Sequence, residues 1–194
     1  MLVTAFELLD VVACPVVERD ADGRWRRVHV QPATGRERLG ARVDGDDAAW
    51  LARWWDGAAD PDTRGEGARA EVGRSREEVW AGLVRAVADH PGGGVLLAVD
   101  YAHTLTTRPA EGSLAAFRAG RAVPPRADGN CDVTAHVAMD AVEAAGEAAG
   151  AVTIARLSQA EAIRRWWHGP STPAAELRDP GALGGFSWLV QAVR

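Results

Sequence analysis

The chain has 194 residues, 47% of them apolar and 25% charged, which is the size and make-up of one globular domain with a real core. Its net charge of −5 argues against a nucleic-acid partner, because phosphate binding needs a basic surface that releases counterions. All 22 basic residues are arginine, so Schiff-base lysines, phosphate-loop lysines and Ser-Lys dyads are excluded.

Residues 1–17 are apolar, but they lack a positive leading region and carry Glu7 and Asp10 inside the apolar stretch, which argues against a signal peptide. No segment approaches the length needed to cross a bilayer. Residues 2–5 predict a short buried strand with Glu7-Leu8-Leu9-Asp10 at its end. Cys14 and Cys131 form neither a C-x-x-C pair nor a disulfide framework, which predicts two buried thiols in a reduced, cytoplasmic setting. Residues 15–19 and 24–30 flank the turn-forming Asp20-Ala21-Asp22-Gly23 and predict a hairpin, whose Arg24, Arg26 and Arg27 read as a solvated face. Between residues 43 and 57, Trp50, Leu51, Trp54 and Trp55 fall at helical spacing with Asp46 or Asp47 as the cap. Residues 57–70, rich in Gly, Asp and Arg, predict a flexible loop or lid.

Ser75-Arg76-Glu77-Glu78 has the pattern of a capping box, and Val79, Trp80, Leu83, Val84 and Val87 then form one apolar helix face. Pro91-Gly92-Gly93-Gly94 breaks that helix and launches an apolar strand, residues 95–99, which ends in Asp100-Tyr101-Ala102-His103. A buried strand that delivers an acid, a phenol and an imidazole at its C-terminal end is where open α/β sheets place their chemistry. A Gly/Pro/Arg-rich passage leads to Asp132-Val133-Thr134-Ala135-His136-Val137 and a helix expected over 134–149. A strand over 152–157, a helix capped by Ser158 and Glu161, a Gly/Pro-rich loop and a final strand over 186–193 complete the chain. This alternation predicts an α/β protein with a mainly parallel sheet and a terminal antiparallel strand.

Four elements, taken together, resemble the MidA-like class I S-adenosylmethionine-dependent methyltransferases, a family that includes complex I assembly factors methylating arginine. They are Ala5-Phe6-Glu7-Leu8-Leu9-Asp10, Asp100-Tyr101-Ala102, Gly112-Ser113-Leu114-Ala115-Ala116-Phe117-Arg118 and Asp132-Val133-Thr134-Ala135-His136-Val137, and the likeness includes Glu71. The resemblance implies a partial Rossmann-like sheet with a hairpin insertion and covering helices. It covers the C-terminal half of such a domain: 1–194 as one domain, with a hairpin and helix insertion over 14–56. Gly92-Gly93-Gly94 precedes a strand instead of following one, so it does not match the family's Gly-rich cofactor turn. Phe6 stands where the family has asparagine, and Ala102 where it has glycine.

What the resemblance implies chemically is methyl transfer from S-adenosylmethionine to a nitrogen acceptor such as a protein arginine, with the chain inactive alone in this truncated form. Glu7, Asp10 and Asp100 are the catalytic candidates, because carboxylates accept paired hydrogen bonds from a guanidinium. Glu7 and Asp10, read as one helical turn apart, could face one crevice; equally, Glu7 reads as a helix N-terminal carboxylate and Asp10 as a surface residue. Tyr101, His103, Asp132 and His136 are pocket candidates. Against those roles stand a core-closing tyrosine, a solvated loop histidine for His103 and a loop-ordering His136. If Glu7 and Asp100 are catalytic, alanine at either should lower turnover and leave the melting temperature nearly unchanged. The scattered histidines predict no metal site. Trp54-Trp55 and Trp166-Trp167 read as core or interface pairs in preference to ligand-stacking ones. The alternative to an enzyme is a non-catalytic interaction or assembly-factor module, whose exposed sheet edge forms a homodimer or heteromer.

Overall fold

The computed structural model describes all residues except 33, 59, 60 and 127, together with the side chains of residues 61 and 64. The α/β expectation holds, with several sheets, one of them partly parallel; the mainly parallel sheet that was expected is not found among the described residues, since one of this sheet's three strand pairs is parallel and two are antiparallel. The chain divides into two compact units: Met1–Leu9, Glu77–Ala102 and Ala141–Arg194 form the first, and Asp10–Arg76 with His103–Asp140 form the second. The chain leaves the first unit twice, after Leu9 and after Ala102, and residues 103–140 of the second unit include the buried Ala116, Ala135 and Val137.

The first unit is built on a four-stranded sheet in the order Leu2–Phe6, Gly94–Asp100, Ser187–Val193, Val152–Ser158. Leu2–Phe6 and Gly94–Asp100 are parallel, while Ser187–Val193 runs antiparallel to both of its neighbours. Leu96, Ala98 and Leu189 are buried on the sheet, and the helix Arg74–Ala88 brings Trp80, Val84 and Val87 at positions i, i+4 and i+7 into the core. Trp80 Nε1 donates to the buried Gln191 Oε1 at 2.7 Å, and Gln191 Nε2 donates to Glu143 O and Thr153 Oγ1, both at 3.0 Å. That side chain is satisfied inside the core, so it costs little to bury.

The second unit holds an antiparallel sheet in the order Glu37–Arg42, Trp25–Val30, Val16–Arg19, Arg69–Glu71, and a smaller one of Asp132–Thr134, Ala115–Arg118 and Arg121–Val123. The predicted hairpin across residues 20–23 is present. Of the stretch expected as a loop, residues 59 and 60 lie outside the described residues, Pro61–Arg64 form a 3-10 turn and Arg69–Glu71 pair with Val16–Arg19.

Three local expectations fail for identifiable reasons. Asp44 occupies the N-cap position of the helix Gly45–Trp54 without a side-chain capping bond, and Asp47 is held between Arg27 at 2.8 Å and Arg74 at 3.0 Å instead of serving as the cap. Ser75 is not a cap either: the helix begins at Arg74, and Ser75 Oγ donates to Ala13 O at 2.6 Å. The helix expected from residue 134 begins at Met139, because Asp132–Thr134 pairs with Ala115–Arg118. The Ser158–Glu161 capping box is present as predicted. Cys14 and Cys131 are free thiols, half-buried and not fully so. Among the described residues no helix is long and apolar enough to cross a membrane.

Candidate functional site

In the first unit, the register that sets Phe6 opposite Val99 brings the ends of two parallel strands to the same edge of the sheet. Glu7 N donates to Val99 O at 2.9 Å, extending the ladder by one bond, and the chain then turns with Glu7 at φ 45°. A left-handed backbone at a residue with a long side chain costs about 1 kcal/mol and persists only where its surroundings impose it. Its side chain is exposed. Asp100, on the neighbouring tip, is 1% exposed and accepts from Leu9 N at 3.0 Å through Oδ2. The structure thus brings Glu7 and Asp100 together at adjacent strand ends, Glu7 presented to solvent and Asp100 anchoring the turn. Tyr101 is half-buried, its ring edge-on to Phe186 at 4.2 Å.

Two expectations change here. Residues 7–10 form bends and a turn, so Glu7 and Asp10 are not one helical turn apart, and Glu7 caps no helix. Asp100 is buried and hydrogen-bonded, so replacing it by alanine strands the Leu9 amide and lowers stability as well.

The other candidates lie in the second unit. Asp10 is buried, accepts from Thr134 Oγ1 at 2.6 Å through Oδ2, and receives Ala135 N on its main-chain oxygen at 3.1 Å. Arg76, 2% exposed, donates to the carbonyls of Asp10 at 3.0 Å, Val12 at 3.3 Å and His136 at 2.8 Å, so one guanidinium ties the Asp10 loop to the loop of His136. Glu71, 2% exposed, accepts from Ser113 N at 2.9 Å, Ser113 Oγ at 3.1 Å and Leu114 N at 3.2 Å. The neighbouring Gly112 has φ +72°, and a Cβ there would lie 2.6 Å from Glu71 Oε1. The loop is therefore wrapped around the carboxylate as backbone N–H groups wrap an anion. Ser113 Oγ in turn accepts from His136 N at 2.8 Å. Asp10, Glu71, Ser113, Thr134 and His136 thus form one network, joined through Arg76.

The His136 side chain is exposed, and its pKa is lowered, partial desolvation being the largest cause and Arg76 adding to it against Glu71 and Asp10. Asp132 is exposed on a strand opposite Phe117.

His103 is not a solvated loop residue. It is 5% exposed, with Trp55 edge-on at 5.2 Å and Arg108 Nη1 at 2.7 Å from Nδ1. Since a guanidinium only donates, Nδ1 must accept and the proton resides on Nε2. Burial, then the charges of Arg108, His136 and Arg76, push its pKa down to about 2, so it stays neutral and is no base poised near pH 7. Arg108 itself pairs with Asp140 at 2.6 Å and donates to Trp54 O at 2.8 Å. Arg76, Arg108 and Asp140 were not singled out from the sequence. In a chain whose every cation is arginine, nothing distinguishes a buried guanidinium from the solvated ones. Among the described residues, no three His, Cys, Asp or Glu side chains cluster as metal ligands.

The profile of a family described as "Putative S-adenosyl-L-methionine-dependent methyltransferase" matches residues 1–157. No curated protein matches the chain. Among solved structures, a COG1565 superfamily member from Burkholderia thailandensis bound to S-adenosyl-homocysteine is similar at 23% identity and a TM-score of 0.70, over 98% of this chain and 53% of that one. A native crystal structure of an uncharacterized COG1565 superfamily protein from the same organism is similar at 22% identity and a TM-score of 0.71, over 98% of this chain and 55% of that one. At these identities the likeness carries the fold. The chain spans about half the length of either structure.

Proposed function

The chain belongs to the family of S-adenosyl-L-methionine-dependent methyltransferases, and from that premise we propose that it carries the acceptor side of a methyl-transfer site, with Glu7 and Asp100 at its centre. The observation that supports this most is the pair of acid-bearing parallel strand ends in register, one of them with a left-handed backbone that presents Glu7 to solvent. When bound, S-adenosylmethionine supplies an electrophilic methyl group on sulfur. This chain's own residues would hold and orient the acceptor and take up its proton. A nitrogen acceptor, a protein arginine in particular, suits the exposed carboxylate of Glu7, because a guanidinium offers it paired N–H donors, while the buried Asp100 holds the turn that presents Glu7. Tyr101, fixed against Phe186, would line that site, and Asp10, Asp132 and His136 would order the loops of the second unit. The half-buried free thiols are compatible with a reducing, cytoplasmic location.

The residues present do not fit the cofactor's nucleoside at the glycine cluster. A Cβ at Gly93 would meet Val193 O at 2.1 Å and one at Gly94 would meet Met1 O at 2.3 Å. Those glycines let chain segments pack closely and leave no cradle. The MidA-like likeness, with this chain as one half of such an enzyme, therefore stays within the proposal.

A second reading has its own support. Leu2–Phe6 is an edge strand of the described sheet, and Leu2 is 69% and Phe6 56% exposed. An apolar edge of this kind favours strand addition by a second copy or another protein, which suits an interaction or assembly module. Calorimetric titration with S-adenosylmethionine, followed by methyl transfer to arginine- and lysine-containing peptides, separates the two. Micromolar binding and arginine methylation that is lost in Glu7→Gln support the enzyme. No binding together with tight self-association supports the interaction module.

A further inference from the structure

In the first unit, the helix Gln159–Trp166 and the loop that follows it enclose an open cavity of about 570 Å³. Ala160, Ile163, Arg164 and Trp167 reach it at positions i, i+3, i+4 and i+7, which places them on one helical face. Trp166 and Trp167 are 40% and 49% exposed, so the expected core packing of this pair does not occur.

The Trp167 ring is fixed in place. Its Nε1 donates to Ser171 O at 2.8 Å, and a Cβ on Gly169 would come within 2.6 Å of the ring, so only glycine admits the indole in this position. The remaining wall holds Pro170, Pro173 and a second cation, Arg178, whose Nε donates to Pro173 O at 3.2 Å. The lining includes two arginines and no acid, in a chain of net charge −5. Glu161, one turn before Arg164, feels that charge, but its carboxylate is engaged by the Ser158 cap. A half-exposed indole lining the same cavity as two arginines suits a ring that carries an anion: the ring stacks on the indole and the anion takes charge-assisted hydrogen bonds.

We propose that this cavity binds a small aromatic anion of the nucleoside monophosphate type, with the base on Trp167 and the phosphate between Arg164 and Arg178. Every lining residue lies beyond residue 157, where the family profile ends, and none is shared with the strand ends discussed above, so the proposal does not depend on that reading.

The test is calorimetric titration of the whole chain with AMP, adenosine and inorganic phosphate. AMP should bind saturably, with adenosine and phosphate each at least about tenfold weaker because each offers half of the contact. The doubly substituted R164Q/R178Q chain should lose at least about tenfold in AMP affinity, and Gly169→Ala should weaken binding several-fold by displacing the indole, both at an unchanged melting temperature. Trp167→Leu, at an exposed position, should lose at least about tenfold in AMP affinity at an unchanged melting temperature, and AMP binding that it leaves intact overturns the placement of the base on the indole. Absence of saturable AMP binding to the wild type overturns the proposal. So does AMP binding that survives R164Q/R178Q within about twofold, which would place the nucleotide elsewhere on the chain, whereas failure of S-adenosylmethionine to bind would touch only the methyl-transfer reading.

Discussion

The burial of His103 makes a pH prediction that can be worked out from its surroundings. The groups facing it are Arg108, hydrogen-bonded to Nδ1 and paired with Asp140, with the charges of His136 and Arg76 further out. In the folded chain its pKa is down at about 2, whereas in the unfolded chain it returns to the ordinary imidazole value of 6.5. Below pH 6.5 the unfolded state therefore binds a proton that the folded state refuses, and stability falls as the pH falls. Integrating one proton of difference from pH 7 to pH 5 gives a loss of about 2 kcal/mol from this residue alone. The loss continues toward the folded-state pKa.

The assay is urea unfolding of the wild type and His103→Gln at pH 7 and at pH 5. Glutamine keeps an acceptor for Arg108 and does not titrate, so the two unfolding energies differ at each pH by a packing term that cancels in the comparison. The wild type should lose about 2 kcal/mol more than the variant between the two pH values. If the two proteins lose the same amount within about 0.5 kcal/mol, His103 is solvated or charged in the native state, and the description of that cluster is wrong.

Other consequences can be read off single residues. Glu7→Gly removes the cost of the left-handed φ and should raise stability by about 0.5–1 kcal/mol in thermal unfolding while abolishing any methyl transfer; a drop in stability would mean that its side chain is structural. Asp100→Ala should cost about 1–3 kcal/mol by stranding the Leu9 amide, and Asp100→Asn, which retains an acceptor, should cost less; an unchanged melting temperature for the alanine variant would refute the anchoring role. Gly112→Ala, at φ +72° and within 2.6 Å of a carboxylate oxygen, should destabilise by about 2 kcal/mol or more, and Glu71→Ala should loosen the same loop, seen as faster amide exchange at Ser113 and Leu114.

The elements legible in the sequence were those whose residues obey one local rule. The strand ending at Asp100 is an uninterrupted apolar run, the hairpin has turn chemistry at Asp20–Gly23, and Ser158 with Glu161 has the spacing of a cap that the structure contains. The misread elements are those where a distant partner outcompetes the local preference. Ser75 has the right neighbours for a cap but bonds Ala13, and Thr134 sits at a plausible helix start but pairs across a strand. The strand Glu37–Arg42 gave no signal, since its sequence ERLGAR has few apolar residues and the structure leaves it almost entirely exposed.

The same distinction separates the candidate site residues. Side chains picked for their chemistry divide by what they touch. Asp10 accepts from Thr134, and its carbonyl and that of His136 take the Arg76 guanidinium, so removing either arm of this network disorders loops before it could remove a proton acceptor. Glu7 is different: it is exposed, its backbone conformation is costly, and its pairing partner Val99 needs only its amide. An exposed side chain at a position where glycine would be less strained is hard to account for by stability alone. That contrast makes Glu7 the residue at which the methyl-transfer proposal is most exposed to test. A Glu7→Gly chain that is more stable and equally competent would leave the left-handed turn without a purpose and the proposal without its centre.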